Sequence, residues 1–377
     1  MDLKHCSKQC DSHRSGKGHL RWPFLFLALV NVPQQSVALE AYKNNNRVYL
    51  AFSSRTVSEA LPIKEFADEW QQPPGDGDST WTRNRLDLGI WYRDWGVAYT
   101  QRFDYQLRYN NATTDLYYRD ENNLPAPEGA VPVRLEISQL RAQGLKLQRR
   151  WRWESGYFLQ TDLSLLSASD FQDGSLAGEL GNENGFFSGT AALDYRYSED
   201  LLLAHQFEQP EGDGLALDVS VGYSGARRSL MLEVQDLYSA IRWEQAPHTY
   251  GAFDTIDRDV AGEVQLNPLF SGKRLLEDFQ QEMPRYGLVS YTEHIAGGAD
   301  VKVDVEYFSG DLRYRPGMRW GDVPGNPYLG YEVEDGQWLL QLKDDRGFWH
   351  LQLGSDNRDW EKARSLTLAF GFSAPII

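Results

Sequence analysis

From residue 80 onward the chain repeats one pattern: apolar and polar side chains alternate for eight to twelve residues, then a polar turn follows. In residues 85–93, Leu86, Leu88 and Ile90 alternate with Arg85, Asp87 and Gly89. In residues 97–108 the apolar positions are odd, with Val97, Tyr99, Phe103, Tyr105 and Leu107. A period of two places one set on each face of a strand. Asp94, Trp95 and Gly96 make a connection short enough for a tight hairpin. The same grammar carries Leu145, Leu147, Trp151 and Trp153, then Leu215, Leu217, Val219 and Val221, then Val301, Val303 and Val305. No segment keeps a sustained helical period, and the best helical stretch is residues 57–70. Residues 237–285 contain Pro247, Pro268 and Pro284 and alternate weakly, which predicts one or two irregular strands plus a long loop.

Connections alternate in length. Short ones fall at 197–200, 224–227 and 344–347, and long polar ones at 73–80, 110–130, 167–188 and 356–364. Long loops on one side and tight turns on the other is the layout of an up-and-down barrel in an outer membrane. Strands of a soluble sheet alternate too, so further features decide. Trp and Tyr recur near strand ends, at Tyr92, Trp151, Trp153, Tyr157, Trp338 and Trp349, where a membrane interface would hold them. The opposite face carries both signs of charge, as a water-filled interior does. A sheet in hydrocarbon must close to leave no edge unpaired, and a chain of successive hairpins can do so. The expected fold is therefore all-β: a transmembrane, up-and-down antiparallel β-barrel of about 16 strands, within a range of 14–18.

Composition alone points elsewhere. The chain has 377 residues, 38 Lys+Arg against 54 Asp+Glu and a net charge of −16, with a mean hydropathy of −0.55. That excludes a multi-helix membrane protein, and the acidity argues against nucleic acid as a partner. A barrel reconciles these averages with a membrane span, because half of every strand faces water. The N-terminus has the basic, apolar, small-residue order of an export signal: Lys4, Lys8, Arg14, Lys17 and Arg21, an apolar run over 23–30, and small residues up to Ala38. Residues 1–38 are read as a cleaved signal peptide and 39–377 as a single barrel domain. Both cysteines, Cys6 and Cys10, fall in the signal. The mature chain then has 33 basic and 52 acidic residues, a net −19, and no thiol to misoxidise during export.

With that signal, the alternating strands and the final run Leu366, Leu368, Phe370 and Phe372, the chain resembles Gram-negative outer-membrane β-barrel proteins. The resemblance implies export through the periplasm to the outer membrane, contact with outer-membrane lipid, and recognition of the closing strand by the barrel-assembly machinery. Five residues follow Phe372 here, a departure from the usual terminal Phe.

No motif names a chemistry. Residues 222–226 miss Gly-x-Ser-x-Gly at the last position, and there is no His-Glu-x-x-His and no phosphate loop. No metal site or cofactor is implied. By strand parity, Arg83, Arg85, Arg93, Arg102, Arg108, Arg134, Lys146, Arg150 and Arg152 face the lumen from the early strands, and Asp162, Asp194, Asp218 and Glu233 from the middle ones. Opposed walls of opposite sign would sort small solutes by charge; pairing among neighbours would instead fill the barrel. Three readings follow: a passive pore for small hydrophilic solutes, a structural or assembly barrel without an open pore, and a membrane-embedded lipid hydrolase using one of His205, His248, His294 or His350.

Overall fold

A computed structural model describes residues 46–183, 186–199, 207–254, 257–258, 264–265, 269–295 and 298–376. The expected signal peptide, 1–38, lies outside them. The early wall consists of β1 (Arg47–Ser58), β2 (Ser79–Tyr92), β3 (Trp95–Tyr109), β4 (Gly129–Arg152) and β5 (Tyr157–Glu183). Next come β6 (Phe186–Tyr197), β7 (Gly212–Ser224) and β8 (Arg228–Asp254). A small pair, β9 (Asp257–Arg258) and β10 (Val264–Gln265), stands apart from the main sheet. The rest are β11 (Leu269–Gln281), β12 (Tyr286–Ile295), β13 (Ala299–Phe308), β14 (Asp311–Trp320) and β15 (Tyr328–Tyr331), followed by β16 (Trp338–Lys343), β17 (Trp349–Ser355) and β18 (Ser365–Pro375).

The main sheet has 16 strands, and 14 of them close a barrel in which every neighbouring pair is antiparallel. Closure is made by β1, which pairs β18 from Arg47↔Pro375 to Val57↔Ser365 and β2 on its other side. The expected final strand is thus the seam. Leu366, Leu368 and Phe370 point outward, half-buried, and Phe372 is exposed, while Ser365, Thr367, Ala369 and Ser373 are buried inward.

The two strands outside the ring prolong others. β5 pairs β7 through Ala168 and then β6 from Gln172, with β6 and β7 both antiparallel to it. β8 pairs β12 through residues 228–235 and β11 through 241–254. Two columns of the wall are therefore interrupted, one at 198–211 and one at 282–285. The expected turn at 197–200 is not a reversal, because the chain resumes in the same direction. The expected loop at 167–188 is also corrected: it is strand through Glu183 and again from Phe186. Within 237–285, where one or two irregular strands and a long loop were expected, 237–254 and 269–281 are long strands.

Strand length separates what lies in lipid from what rises above it. At about 3.3 Å per residue, the 27 residues of β5 and of β8 run far beyond a hydrocarbon core of about 30 Å. The upper parts of β4, β5, β6, β8 and β11 form a sheet that projects from the membrane beside the mouth. Below it the outer surface is apolar, with Leu88 at 56%, Leu145 at 60% and Leu165 at 60% exposure. Tyr92, Trp95, Trp151, Tyr157, Trp320 and Trp349 ring the end that holds the termini, and Tyr307, Tyr314, Tyr331 and Trp338 ring the other.

Two short helices brace the rim. α1 (Ile63–Ala67) brings Phe66 and the following Trp70 against Tyr105 and Tyr109 on the outer face of β3. α2 (Asn111–Glu121) lies inside the polar connection expected to be loop. Its start is set by Asn110, whose side chain accepts from the Thr113 N–H at 3.0 Å.

Candidate functional site

The lumen is closed by side chains that meet from opposite walls. A bulge in β8 makes the first contact. Leu217 and Val219 on β7 face Tyr238 and Val234, so three residues of β8 stand opposite the single Asp218. Asp236 takes a left-handed φ of 54° there, and its N–H donates to Asp218 Oδ1 at 2.8 Å. The bulge swings Asp236 into the lumen, where Arg102 of β3 binds both its oxygens, at 2.8 and 2.7 Å. Arg102 also reaches Asp104 at 2.9 Å, and Arg85 of β2 reaches Asp104 at 2.7 Å.

A second set of contacts spans the full width. Trp81 of β2 and Phe308 of β13 lie seven places apart on the ring of fourteen, yet their ring centroids are 4.8 Å apart. Arg83 stands 4.2 Å from the Tyr286 ring of β12 and donates to Gln235 of β8 at 2.7 Å. Arg55 of β1 binds Glu306 of β13 and Glu332, and Arg315 of β14 shares both carboxylates, at 3.3 and 2.6 Å. Val57, Trp81, Phe158, Met231, Tyr286, Leu288 and Phe308 form one apolar cluster inside the barrel. Leu140, Ala142, Leu166, Phe171, Ile241 and Trp243 belong to a second, on the β4–β8 side. Among the described residues these side chains thus fill the barrel between its middle and its mouth.

The inward residues read from parity divide into three groups. Arg85, Arg102, Lys146, Arg150, Asp162, Asp218 and Glu233 line the interior, and Lys146 pairs with Asp87 at 2.8 Å. Arg108 and Asp194 lie higher, in a cavity of about 390 Å³ on the inner face of the projecting sheet. Arg93 and Arg134 do not face the lumen. Arg93 is exposed at the β2–β3 turn with φ 55°, and Arg134 is exposed on the rim with Glu136. Arg83 also faces inward, as parity predicts, whereas Arg152 is exposed near the β4–β5 turn beside Asp94. Parity missed Arg55, Asp236, Glu306, Arg313 and Arg315 in different ways. The β14 arginines alternate and could have been read; Asp236 could not, because it shares the even parity of outward Val234 and Tyr238 and is turned inward only by the bulge.

Above the lumen two carboxyl groups in the β15–β16 connection are set apart by their surroundings. Burial works against charge on Glu332, but Arg55 and Arg315 outweigh it and hold its carboxyl down at about 2. Asp335 is pushed up to about 6 by burial, with Glu332 adding to it against Arg313 and Arg55. Asp335 borders a cavity of about 540 Å³ at the mouth. On the projecting sheet, His248 sits between Asp194 at 3.1 Å and Glu277 at 2.7 Å, and Arg196 binds both acids. Asp173 beside them is raised to about 6, chiefly by burial. Neither His248 nor His294, which pairs with Asp300 at 2.6 Å, has a serine hydroxyl bonded to it, so no nucleophile–base pair is assembled around them. His205 lies outside the described residues.

No family model matches the chain, and no curated protein resembles it in sequence. Solved structures that resemble it include a TodX deltaS2S3 mutant monoaromatic hydrocarbon channel, 11% identical, with TM-score 0.49 over 90% of this chain and 92% of that one. Another is a Pseudomonas aeruginosa FadL homologue, 8% identical, with TM-score 0.36 over 87% and 86%. A third is the Pseudomonas putida toluene transporter TodX, 7% identical, with TM-score 0.34 over 91% and 94%. What fixes the class of this chain is its own geometry: a closed antiparallel ring, an apolar outer belt between two aromatic rims, and a charged interior. The chain is a closed 14-strand antiparallel β-barrel with the outer belt of a barrel that spans a membrane.

Proposed function

We propose that the barrel is a gated conduit for small polar solutes, described here in its closed arrangement. The observation that supports this is the unmet bonding capacity along the closed lumen. Arg55 Nε, Arg83 Nε, Arg85 Nη2, Glu306 Oε1, Arg315 Nε and Gln341 Oε1 are buried without a hydrogen-bond partner. A finished protein core satisfies more than about nine-tenths of such groups, and each failure costs about 1–3 kcal/mol. Donors and acceptors left open along one path are suited to water and solute when the walls part. The contacts that hold the walls together, Arg102–Asp236 above all, are charged and side-chain only. They can therefore release without disturbing a ladder.

The apolar cluster around Phe171 and Trp243 favours a second reading, a closed scaffold in the envelope, since it packs part of the interior as a core. Planar-bilayer recording separates the two. The conduit reading expects few openings from the native protein and frequent step currents from an Arg102→Ala, Asp236→Ala double variant. Silence from that variant, with its heat-dependent gel mobility intact, would leave the scaffold. In either case the outward aromatic face of β18 supports its recognition by the barrel-assembly machinery.

A further inference from the structure

The cavity at the mouth, about 540 Å³, falls within the ~300–1,000 Å³ of small-molecule sites. Its wall is mostly acidic. Glu59, Asp76, Glu334 and Asp356 are committed to holding loops: they accept from the N–H groups of Asp78, Tyr314 and Arg364 and from the Asn111 side-chain amide. Two wall groups are not fully committed. Arg313 is 2% exposed, and its Nε donates to Asp335 at 3.2 Å. Its Nη2 stands 3.7 Å from Glu59 and 3.8 Å from Asp311 Oδ2, too far to bond, and its Nη1 has no acceptor among the described residues. Asp311 Oδ2 is likewise buried with no donor. Arg313 and Asp311 are neighbours in the cavity wall, and each keeps one buried polar atom without a hydrogen bond among the described residues.

Charge decides what fits. A bare cation satisfies Asp311 and is repelled by Arg313. A bare anion satisfies Arg313 but meets Asp311 and a wall with more carboxylates than arginines. A hydroxyl both donates and accepts, so two neighbouring hydroxyls fill both vacancies with no net charge. The Asp311 side chain is 35% exposed, so it can rotate to bring its oxygen to the cavity surface.

We propose that this cavity binds an uncharged polyhydroxylated solute of the polyol or saccharide class. One hydroxyl accepts from Arg313 Nη1 and its neighbour donates to Asp311 Oδ2. The proposal rests on the conduit reading for its role, since the cavity forms the outer entrance to the closed lumen, but the binding itself can be measured separately.

The test is calorimetric titration of the full-length barrel in detergent micelles with sorbitol, maltose, potassium gluconate and choline chloride. Sorbitol or maltose is expected to bind, with gluconate at least about tenfold weaker and choline giving no heat. Asp311→Asn keeps the shape but turns an acceptor-only group into a mixed one, and it is expected to weaken the neutral ligand about fivefold or more. Arg313→Lys, a second variant that keeps the charge, removes the Nη1 donor and should do the same. The proposal is overturned if neither neutral polyol binds, if gluconate or choline binds as tightly, or if both variants titrate like the native protein. Binding without current from the opened Arg102/Asp236 variant would remove the conduit and leave the site; current without binding would do the reverse.

Discussion

Arg102 on β3 and Asp236 on β8 face each other across the lumen and are joined by two bonds, of 2.8 and 2.7 Å. Their side chains are 6% and 2% exposed. Removing one partner takes the main counter-charge from the other in a dry interior, leaving only Asp104 beside Arg102 or Arg85 beside Asp236, and breaking such a pair typically costs about 3–5 kcal/mol. Arg102→Ala and Asp236→Ala should each lower the urea midpoint of the folded barrel. The double variant should recover part of the loss, because no lone charge remains. A loss in the double variant equal to the sum of the two single losses would show that the pair is not coupled.

Trp81 and Phe308 close the same passage by contact rather than charge. Trp81 is completely buried and Phe308 is 1% exposed, so Trp81→Ala leaves a large void and should destabilise the barrel by about 3–5 kcal/mol. The same variant should raise the rate at which the fluorescent-quencher ion iodide reaches the interior of protein-loaded vesicles. An unchanged rate would place the closure elsewhere.

Asp173, in the part of β5 above the membrane, gives a pH dependence with a definite sign. Its carboxyl is raised from 3.8 to about 6 by burial, with Asp194 adding and Arg196 opposing. The folded state therefore holds the proton more tightly than the unfolded chain does. Stability is fully present below pH 3.8 and falls as pH rises toward about 6. Asp173→Asn should cancel that fall, on the order of 2 kcal/mol after allowing for partial exposure. Thermal melts across this window should show the variant gaining on the native protein as pH rises; a constant difference would contradict the assignment.

Leu145 and Leu165 mark the lipid belt. Leu145→Arg places a guanidinium on the outer face at 60% exposure and should cost about 2–4 kcal/mol if the site lies near the bilayer midplane. Folding into lipid vesicles, followed by gel shift, reads this directly. Arg134→Leu on the projecting rim should leave folding unchanged.

The lipid-facing parts were plain in the sequence because lipid imposes a strict rule. Every outward residue of β2 and β18 is apolar where it meets the bilayer, and the period of two shows it. The parts above the membrane are wetted on both faces, so no rule marks them, and β5 between Ser169 and Glu183 reads like a polar loop. Two bulges compound the difficulty. The pairing of β4 with β5 steps over Ser169, so Asp162 and Asp173, an odd number of positions apart, share the inner face. Pro247 misled for another reason. On one side of β8 the β7 partners stop at Trp243 and the β6 partners begin at His248. The proline sits in that gap, where no N–H is needed. The cross-lumen contacts were illegible because parity tells which way a side chain points and not how far away the opposite wall stands.

The wall is of unequal height. β4, β5 and β8 have 24, 27 and 27 residues, whereas β15, β16 and β17 have four, six and seven. The entrance is consequently hooded: one side of the cell-surface approach is screened by a standing sheet, and the other is open nearly to the lipid headgroups. Molecules arrive at the cavity beside Arg313 from the low side, along the membrane surface. The taller β4–β8 side narrows the angle from which that cavity can be approached.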